Sequence, residues 1–210
     1  MRQNLIKGLS LLFSVYSPLY PADALLLRLM KGRYAIAWAV GLSMLILLLD
    51  GIFGEGTGFT VAILLLSYIT LHNVWTFLLK RYGRFGSLMV YPIHSWLRTR
   101  VQRMTGYRLK GTQLVEIHID PILTKRVKSN VQAGLMIARD AKRMTQKWTA
   151  SGETVSVVGT TYEGRLAEVA TTKALRNVKR TIRKPGKCPW GSKLLYPNKS
   201  WETFIWEIGS

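Results

Sequence analysis

Two long apolar runs without charged side chains constrain this 210-residue chain more than any other feature. The first run, 34–49, reaches Phe53 if Asp50 lies at the level of lipid headgroups, and the second run is 56–79. About 20 helical residues cross a ~30 Å hydrocarbon core, and a spanning segment must satisfy its own backbone hydrogen bonds. Both runs therefore predict transmembrane helices. Two buried helices of a soluble core are the alternative, which the lack of a polar face on either run disfavours.

The charges around the runs predict their orientation. Basic residues flank both outer ends: Lys31, Arg33, Lys80, Arg81 and Arg84. The connecting loop, 50–57, contains acids and neither Lys nor Arg. Because basic flanks stay on the cytoplasmic side, we expect a multi-pass protein of the bacterial inner membrane with both termini in the cytoplasm.

The net charge of +19 is concentrated after the second run. From Lys80 onward the chain holds 25 of its 30 Lys and Arg residues and eight of its 11 acids, which leaves +17 there. Such an excess suits a polyanion, either anionic lipid headgroups or nucleic acid. A basic surface that is merely solvated, with no dedicated partner, is the alternative.

These features predict four segments. Residues 1–32 form an amphipathic N-terminal segment of one or two short helices at the membrane interface, although 8–16 also resembles a signal-peptide core. Residues 33–80 are the two-helix transmembrane hairpin. Residues 81–110 are a basic, aromatic juxtamembrane linker, in which 93–104 lies along the membrane or forms a soluble connector helix. Residues 111–210 are a basic cytoplasmic domain.

Small and polar residues recur along the two predicted membrane helices. Ala35, Ala39 and Ser43 are four positions apart in the first, which indicates a face for close helix packing. In the second, polar residues follow a three-residue spacing: Ser67, Thr70, Asn73 and Thr76. Such a row holds helices together or lines a wet path, and self-association of the chain is compatible with both.

The last hundred residues alternate between strand and helix patterns. Residues 114–119 predict a half-buried strand by their period of two, and Asp120 with Pro121 predicts the start of a helix that continues towards Trp148. Residues 154–158 and 201–208 predict two more strands. The segment between them is ambiguous, because 162–164 either turns a hairpin or opens a helix. The sequence thus predicts a membrane α-helical hairpin of two transmembrane helices followed by a small α/β (α+β) cytoplasmic domain.

A basic stripe is the most specific feature of that domain. Its residues fall on one face of a predicted helix over 171–187, which would bind nucleic acid or anionic lipid: Lys173, Arg176, Arg180, Arg183 and Lys187. Aromatic residues further on either stack on bases or pack in the core, with core packing favoured: Trp190, Tyr196, Trp201 and Trp206.

The sequence contains no known motif of a catalytic or metal site. The chain has no GxxxxGK[ST], GxSxG, HExxH or CxxC pattern, and its one cysteine, Cys188, excludes an internal disulfide. Four acids could include a catalytic pair: Glu163, Glu168, Glu202 and Glu207. We therefore predict no enzyme, no cofactor and no metal.

The layout of a helical hairpin, 34–79, joined to a small basic domain resembles the two-transmembrane effector proteins of bacterial anti-phage defence systems of the retron type. That resemblance implies an effector held by a nucleoprotein, a reverse transcriptase with its RNA–DNA hybrid, which disrupts the inner membrane when released. It carries over no functional residue. A structural or accessory subunit of a bacterial membrane complex, such as a conjugation or secretion machine, is the alternative.

Overall fold

A helical hairpin leads into a six-stranded sheet in the computed structural model of the chain, which describes residues 2–29, 35–119, 127, 129–161, 178–186 and 201–209. The helices are α1 (Arg2–Phe13), α2 (Tyr20–Leu29), α3 (Ala35–Phe53), α4 (Thr57–Tyr82), α5 (Arg98–Thr105) and α6 (Asn130–Ala150). A short 3-10 turn, Ser95–Leu97, precedes α5. The strands are β1 (Arg84–Phe85), β2 (Leu88–Pro92), β3 (Gln113–Ile119), β4 (Val155–Thr161), β5 (Val178–Gly186) and β6 (Trp201–Ile208).

Helices α3 and α4 are long and apolar enough to cross a membrane, with mean hydropathies of 2.2 over Ile36–Phe53 and 1.7 over Thr57–Tyr82. A tight turn joins them, in which Gly54 and Gly56 have φ of 97° and 92°, a region that favours glycine. Asp50 Oδ1 accepts a 2.7 Å hydrogen bond from the Gly58 amide, so a side chain at the end of α3 satisfies a free donor at the start of α4. The helical hairpin predicted from the sequence is therefore present.

The strands lie in the order β1-β2-β3-β4-β6-β5. Among the described strands, β3 and β4 pair in parallel, with α6 in the crossover between them, and the other pairs are antiparallel. Ser129 starts α6, because its side chain accepts a 3.2 Å hydrogen bond from the Gln132 amide. The predicted start of this helix at Pro121 is wrong, since Val127 is not helical and the cap is Ser129. Asp120 and Pro121 themselves lie outside the described residues.

Both faces of the sheet are covered. Helix α6 packs on one face with Val115, Ile117 and Trp206, and α5 packs on the other with Leu114 and Val158. Residues 14–17, which follow α1, lie on the same face of the sheet as α5. The prediction that β3 is half-buried is therefore wrong: Glu116, on the face expected to meet solvent, is 1 % exposed.

The predicted linker, 81–110, contributes structure to the domain. Its residues form β1 and β2, and β2 pairs with β3 from Leu88↔Ile119 to Pro92↔Val115. Within 93–104 the apolar residues Ile93, Leu97 and Val101 are buried against the sheet. The sheet therefore begins two residues after α4 ends, and no extended linker separates the hairpin from the domain.

The predicted helix over 171–187 is wrong where the structure describes it. Residues 178–186 form β5, which pairs with β6 along its length, including Ile182↔Ile205. A strand over 178–186, which includes Arg180 and Arg183, does not form the helical face on which the basic stripe was predicted. Lys173, Arg176 and Lys187 lie outside the described residues.

Candidate functional site

The polar row of α4 lies on the surface of the chain. Ser67, Thr70 and Asn73 are exposed, and Thr76 is half-buried. Successive helical residues are rotated by 100°, so the exposed residues of this row lie on a different side of α4 from Trp75. The Trp75 side is the one that packs on α1. A shallow groove of about 480 Å³ runs past the first two hydroxyls and is lined by Ile63, Leu66, Ser67, Thr70 and Leu71.

The small residues of α3 are exposed as well. Ala39 and Ser43 face outward, and the Ser43 hydroxyl donates a 3.0 Å hydrogen bond to the Ala39 carbonyl within its own helix. The side chain of Ala35 is not described. Within one chain, therefore, Ala39, Ser43 and the exposed residues of the polar row of α4 are not used to pack α3 on α4, and they stay available to another helix.

A buried acid sits beside α4. Asp23, on α2, is 2 % exposed. Its Oδ1 accepts a 3.1 Å hydrogen bond from the Tyr68 hydroxyl and lies 2.9 Å from His72 Nδ1. The hydrogen bond from Tyr68 satisfies this buried carboxylate and fastens α2 to α4, and the His72 ring lies beside the same oxygen.

A second buried carboxylate lies under the end of α1. Oε2 of Glu116 accepts a 2.7 Å hydrogen bond from the Ser14 hydroxyl, and Oε1 lies 2.6 Å from Nε2 of His118. Tyr91 is directly opposite Glu116 in the β2–β3 register. Burial raises the pKa of Tyr91 well above its usual value of 10.0, and the negative charge of Glu116 adds to the shift. Burial raises the pKa of Tyr16 as well, again with a contribution from Glu116.

Aromatic rings connect the two buried carboxylates. His72 meets Phe13 edge-on with centroids 5.2 Å apart, and Phe13 lies 6.2 Å from Trp75. Trp75 meets Tyr91 edge-on at 5.3 Å, and Tyr91 stacks on His118 at 5.3 Å with an angle of 10° between the planes. Each such pair contributes about 0.5–1.5 kcal/mol beyond the area it buries. The middle of α4 is therefore joined to the centre of the sheet by continuous side-chain contact.

The side chains around Glu116 hold secondary-structure elements together, and their order differs from that of a hydrolytic triad. Ser14 and His118 each contact the carboxylate of Glu116, so the base that should lie between nucleophile and acid is at one end. Within the described ranges, no three side chains of His, Cys, Asp or Glu gather as metal ligands.

Glu207, one of the acids considered for catalysis, connects β6 to residues 110–111 and to β4 by hydrogen bonds. Its carboxylate accepts hydrogen bonds from the Lys110 and Gly111 amides at 3.0 and 3.1 Å and from the Ser156 hydroxyl at 2.7 Å. Trp206, considered for base stacking, is a core residue with 1 % exposure. Glu163, Glu168, Trp190 and Tyr196 lie outside the described residues.

Sequence reasoning missed Asp23, Glu116 and Ser14. Two of them carry a signal in hindsight: Asp23 stands alone in the apolar stretch YPADALLL, and Glu116 interrupts the apolar run LVEI. An acid in such a setting is either exposed or partnered inside. Ser14 has no comparable signal, because its partner is 102 positions away.

Comparison with known proteins gives no match: neither a family model, nor a curated protein, nor a solved structure is similar to this chain.

Proposed function

We propose that the chain is a membrane effector whose helical hairpins associate in the bilayer and let ions cross it. The exposed polar row of α4 carries this proposal. Ser67, Thr70 and Asn73 interrupt an otherwise apolar surface, and inside the chain neither α1 nor α3 covers them. In lipid such groups are stabilised by meeting polar groups of another helix or water.

A second copy of the chain is the occupant that this surface fits. Interhelical hydrogen bonds in membranes are worth about 0.6–2 kcal/mol each, and a copy brings the same hydroxyls and amide. In such an assembly the groove beside Ser67 and Thr70 would receive an apolar side chain of the neighbouring copy. Several copies around one axis would turn the row inward and wet it.

The domain is proposed to hold a restraining partner. Its large positive charge suits nucleic acid or a nucleoprotein, and the resemblance to retron effectors points to the same class. The contacts from His72 to His118 supply the physical link, because a partner that displaces β2, β3 or α1 also disturbs the packing of α4.

A structural subunit of a membrane complex is the second candidate. The close packing of α1 on both α4 and β2 favours it, because a rigid junction suits a scaffold as well as an effector. The two candidates differ in what the chain does alone.

Membrane potential distinguishes the two candidates. Induced alone in a bacterium, the wild type is expected to depolarise the inner membrane, as reported by a potential-sensitive dye. Asn73→Leu should abolish this by removing a polar group from the row. Val74→Leu is the matched control, since it adds bulk at the neighbouring exposed position and removes no polar group. If the wild type does not depolarise the membrane, or if Asn73→Leu depolarises it as strongly as the control does, the effector proposal is wrong. The structural subunit is then the better description of the chain.

We propose that both termini of the chain lie in the cytoplasm. The packing of α1 against β2 supports one side for the N-terminal segment and the domain. A reporter fused after Ser210 should be active in the cytoplasm, and one inserted at Gly54 should be active in the periplasm. Periplasmic activity of the Ser210 fusion would contradict this orientation.

A further inference from the structure

A cleft of about 150 Å³ opens where α4 ends and the sheet begins. Three elements form its walls: the end of α4, the β1–β2 hairpin and the last turns of α6. Its lining residues are Tyr82, Gly83, Arg84, Phe85, Val90, Met144, Lys147 and Trp148. We call it the junction cleft.

The junction cleft lies at the depth of lipid headgroups if α4 spans the bilayer. Helix α4 from Thr57 to Leu79 is about 34 Å long at 1.5 Å per residue, which matches a ~30 Å hydrocarbon core. Tyr82 follows about 4.5 Å beyond Leu79, and the headgroup layer is roughly 5–7 Å thick on each side. Lys80 and Arg81 in the last turn of α4 fit the same boundary.

The charge and the size of the junction cleft indicate what kind of ligand it would bind. Arg84 from β1 and Lys147 from α6 place two cations at the cleft, and the rings of Tyr82, Phe85 and Trp148 form much of the rest. Aromatic rings of this kind favour the interface between water and lipid. The volume equals that of about five water molecules, which is below the ~300 Å³ of an ordinary small-molecule pocket and sufficient for a phosphate group.

We propose that the junction cleft binds the phosphate of an anionic phospholipid headgroup. Arg84 and Lys147 contact the phosphate oxygens from two elements, while the glycerol and acyl chains follow the apolar surface of α4. Bound lipid would thereby fix the height of the sheet relative to the bilayer. A soluble phosphate compound offers the same oxygens, but the position beside the end of a membrane span favours the lipid. The inference rests on the membrane placement of the hairpin and not on its effector activity.

Lipid binding to the full chain tests the proposal. The protein is reconstituted in phosphatidylcholine nanodiscs, and uptake of added phosphatidylglycerol is followed by native mass spectrometry. The double variant Arg84→Glu/Lys147→Glu should weaken this binding about tenfold or more, because each juxtamembrane cation adds substantially to the attraction. The matched control, Arg100→Glu/Lys142→Glu, reverses two exposed cations outside the cleft and changes net charge equally. It should stay within about twofold of the wild type, because these exposed charges lie away from the bound headgroup.

Equal losses in the two double variants would overturn the proposal, because the effect would then be general attraction to negative lipid. Displacement of the lipid by millimolar inorganic phosphate, or by a short oligonucleotide, would overturn it in favour of a soluble ligand. Should charge reversal prevent folding, Arg84→Gln/Lys147→Gln supplies the same comparison against Arg100→Gln/Lys142→Gln. Reporter fusions and depolarisation are measured separately, so failure of the proposed function is recognised independently of failure here.

Discussion

The Ser14 hydroxyl donates a 2.7 Å hydrogen bond to Oε2 of Glu116, a carboxylate with 1 % exposure. This bond ties the end of α1 to β3, one of the two central strands of the sheet. Ser14→Ala removes a donor from a buried carboxylate, so we expect a loss of about 1–3 kcal/mol in the free energy of unfolding. Thermal unfolding of the full chain in detergent measures it. Ser95→Ala, at an exposed position, is the control and should change stability by less than about 0.5 kcal/mol; equal effects would contradict the role of Ser14.

Local patterns predicted those parts of the fold that depend on local properties. The hairpin follows from two charge-free runs, and 201–208 is a strand because its residues favour β structure. The predicted helix over 171–187 failed because its spacing fits a helix while Val178, Thr181 and Ile182 also suit a strand. Pairing with β6 decides between the two, and that pairing involves residues 15 to 30 positions away.

The part of the candidate site that was predictable from the sequence is the part on α4. The row of Ser67, Thr70 and Asn73 is visible in a helical repeat, whereas its exposure depends on which face α1 covers. Glu116 was expected on a solvated face, because nothing in β3 itself reveals that Ser14 and Tyr16 lie above it. Burial of a strand's second face is a tertiary property.

Stability should depend on alkaline pH through Tyr16 and Tyr91. Burial raises the pKa of each phenol above 10.0, so the folded chain keeps protons that the unfolded chain loses above that pH. The stabilising effect of these protons is complete below pH 10 and declines as pH rises further. Chemical denaturation between pH 8 and 12 should show Tyr91→Phe declining less steeply than the wild type, by about 1.4 kcal/mol per pH unit. Identical slopes would contradict the burial of Tyr91.

Two glycines should respond in opposite directions to alanine. A Cβ at Gly111 would overlap the Ser156 amide nitrogen, which is a backbone atom, so Gly111→Ala should lower the free energy of unfolding by more than about 1 kcal/mol. Gly8, inside α1, has no atom within 4 Å of such a Cβ, and Gly8→Ala should stabilise by about 0.5–1 kcal/mol. Unfolding midpoints measure both. A stable Gly111→Ala variant would contradict the close approach of residue 111 to β4.

Disulfide cross-linking in membranes reports whether copies of the chain associate through the polar row of α4. In a Cys188→Ser background, Thr70→Cys places a thiol in the row, and Met44→Cys places one at an exposed position of the other helix, α3. After oxidation of isolated membranes, covalent dimers are expected for Thr70→Cys and monomers for Met44→Cys. Monomers for Thr70→Cys, or equal dimer yields for the two variants, would contradict association through this row.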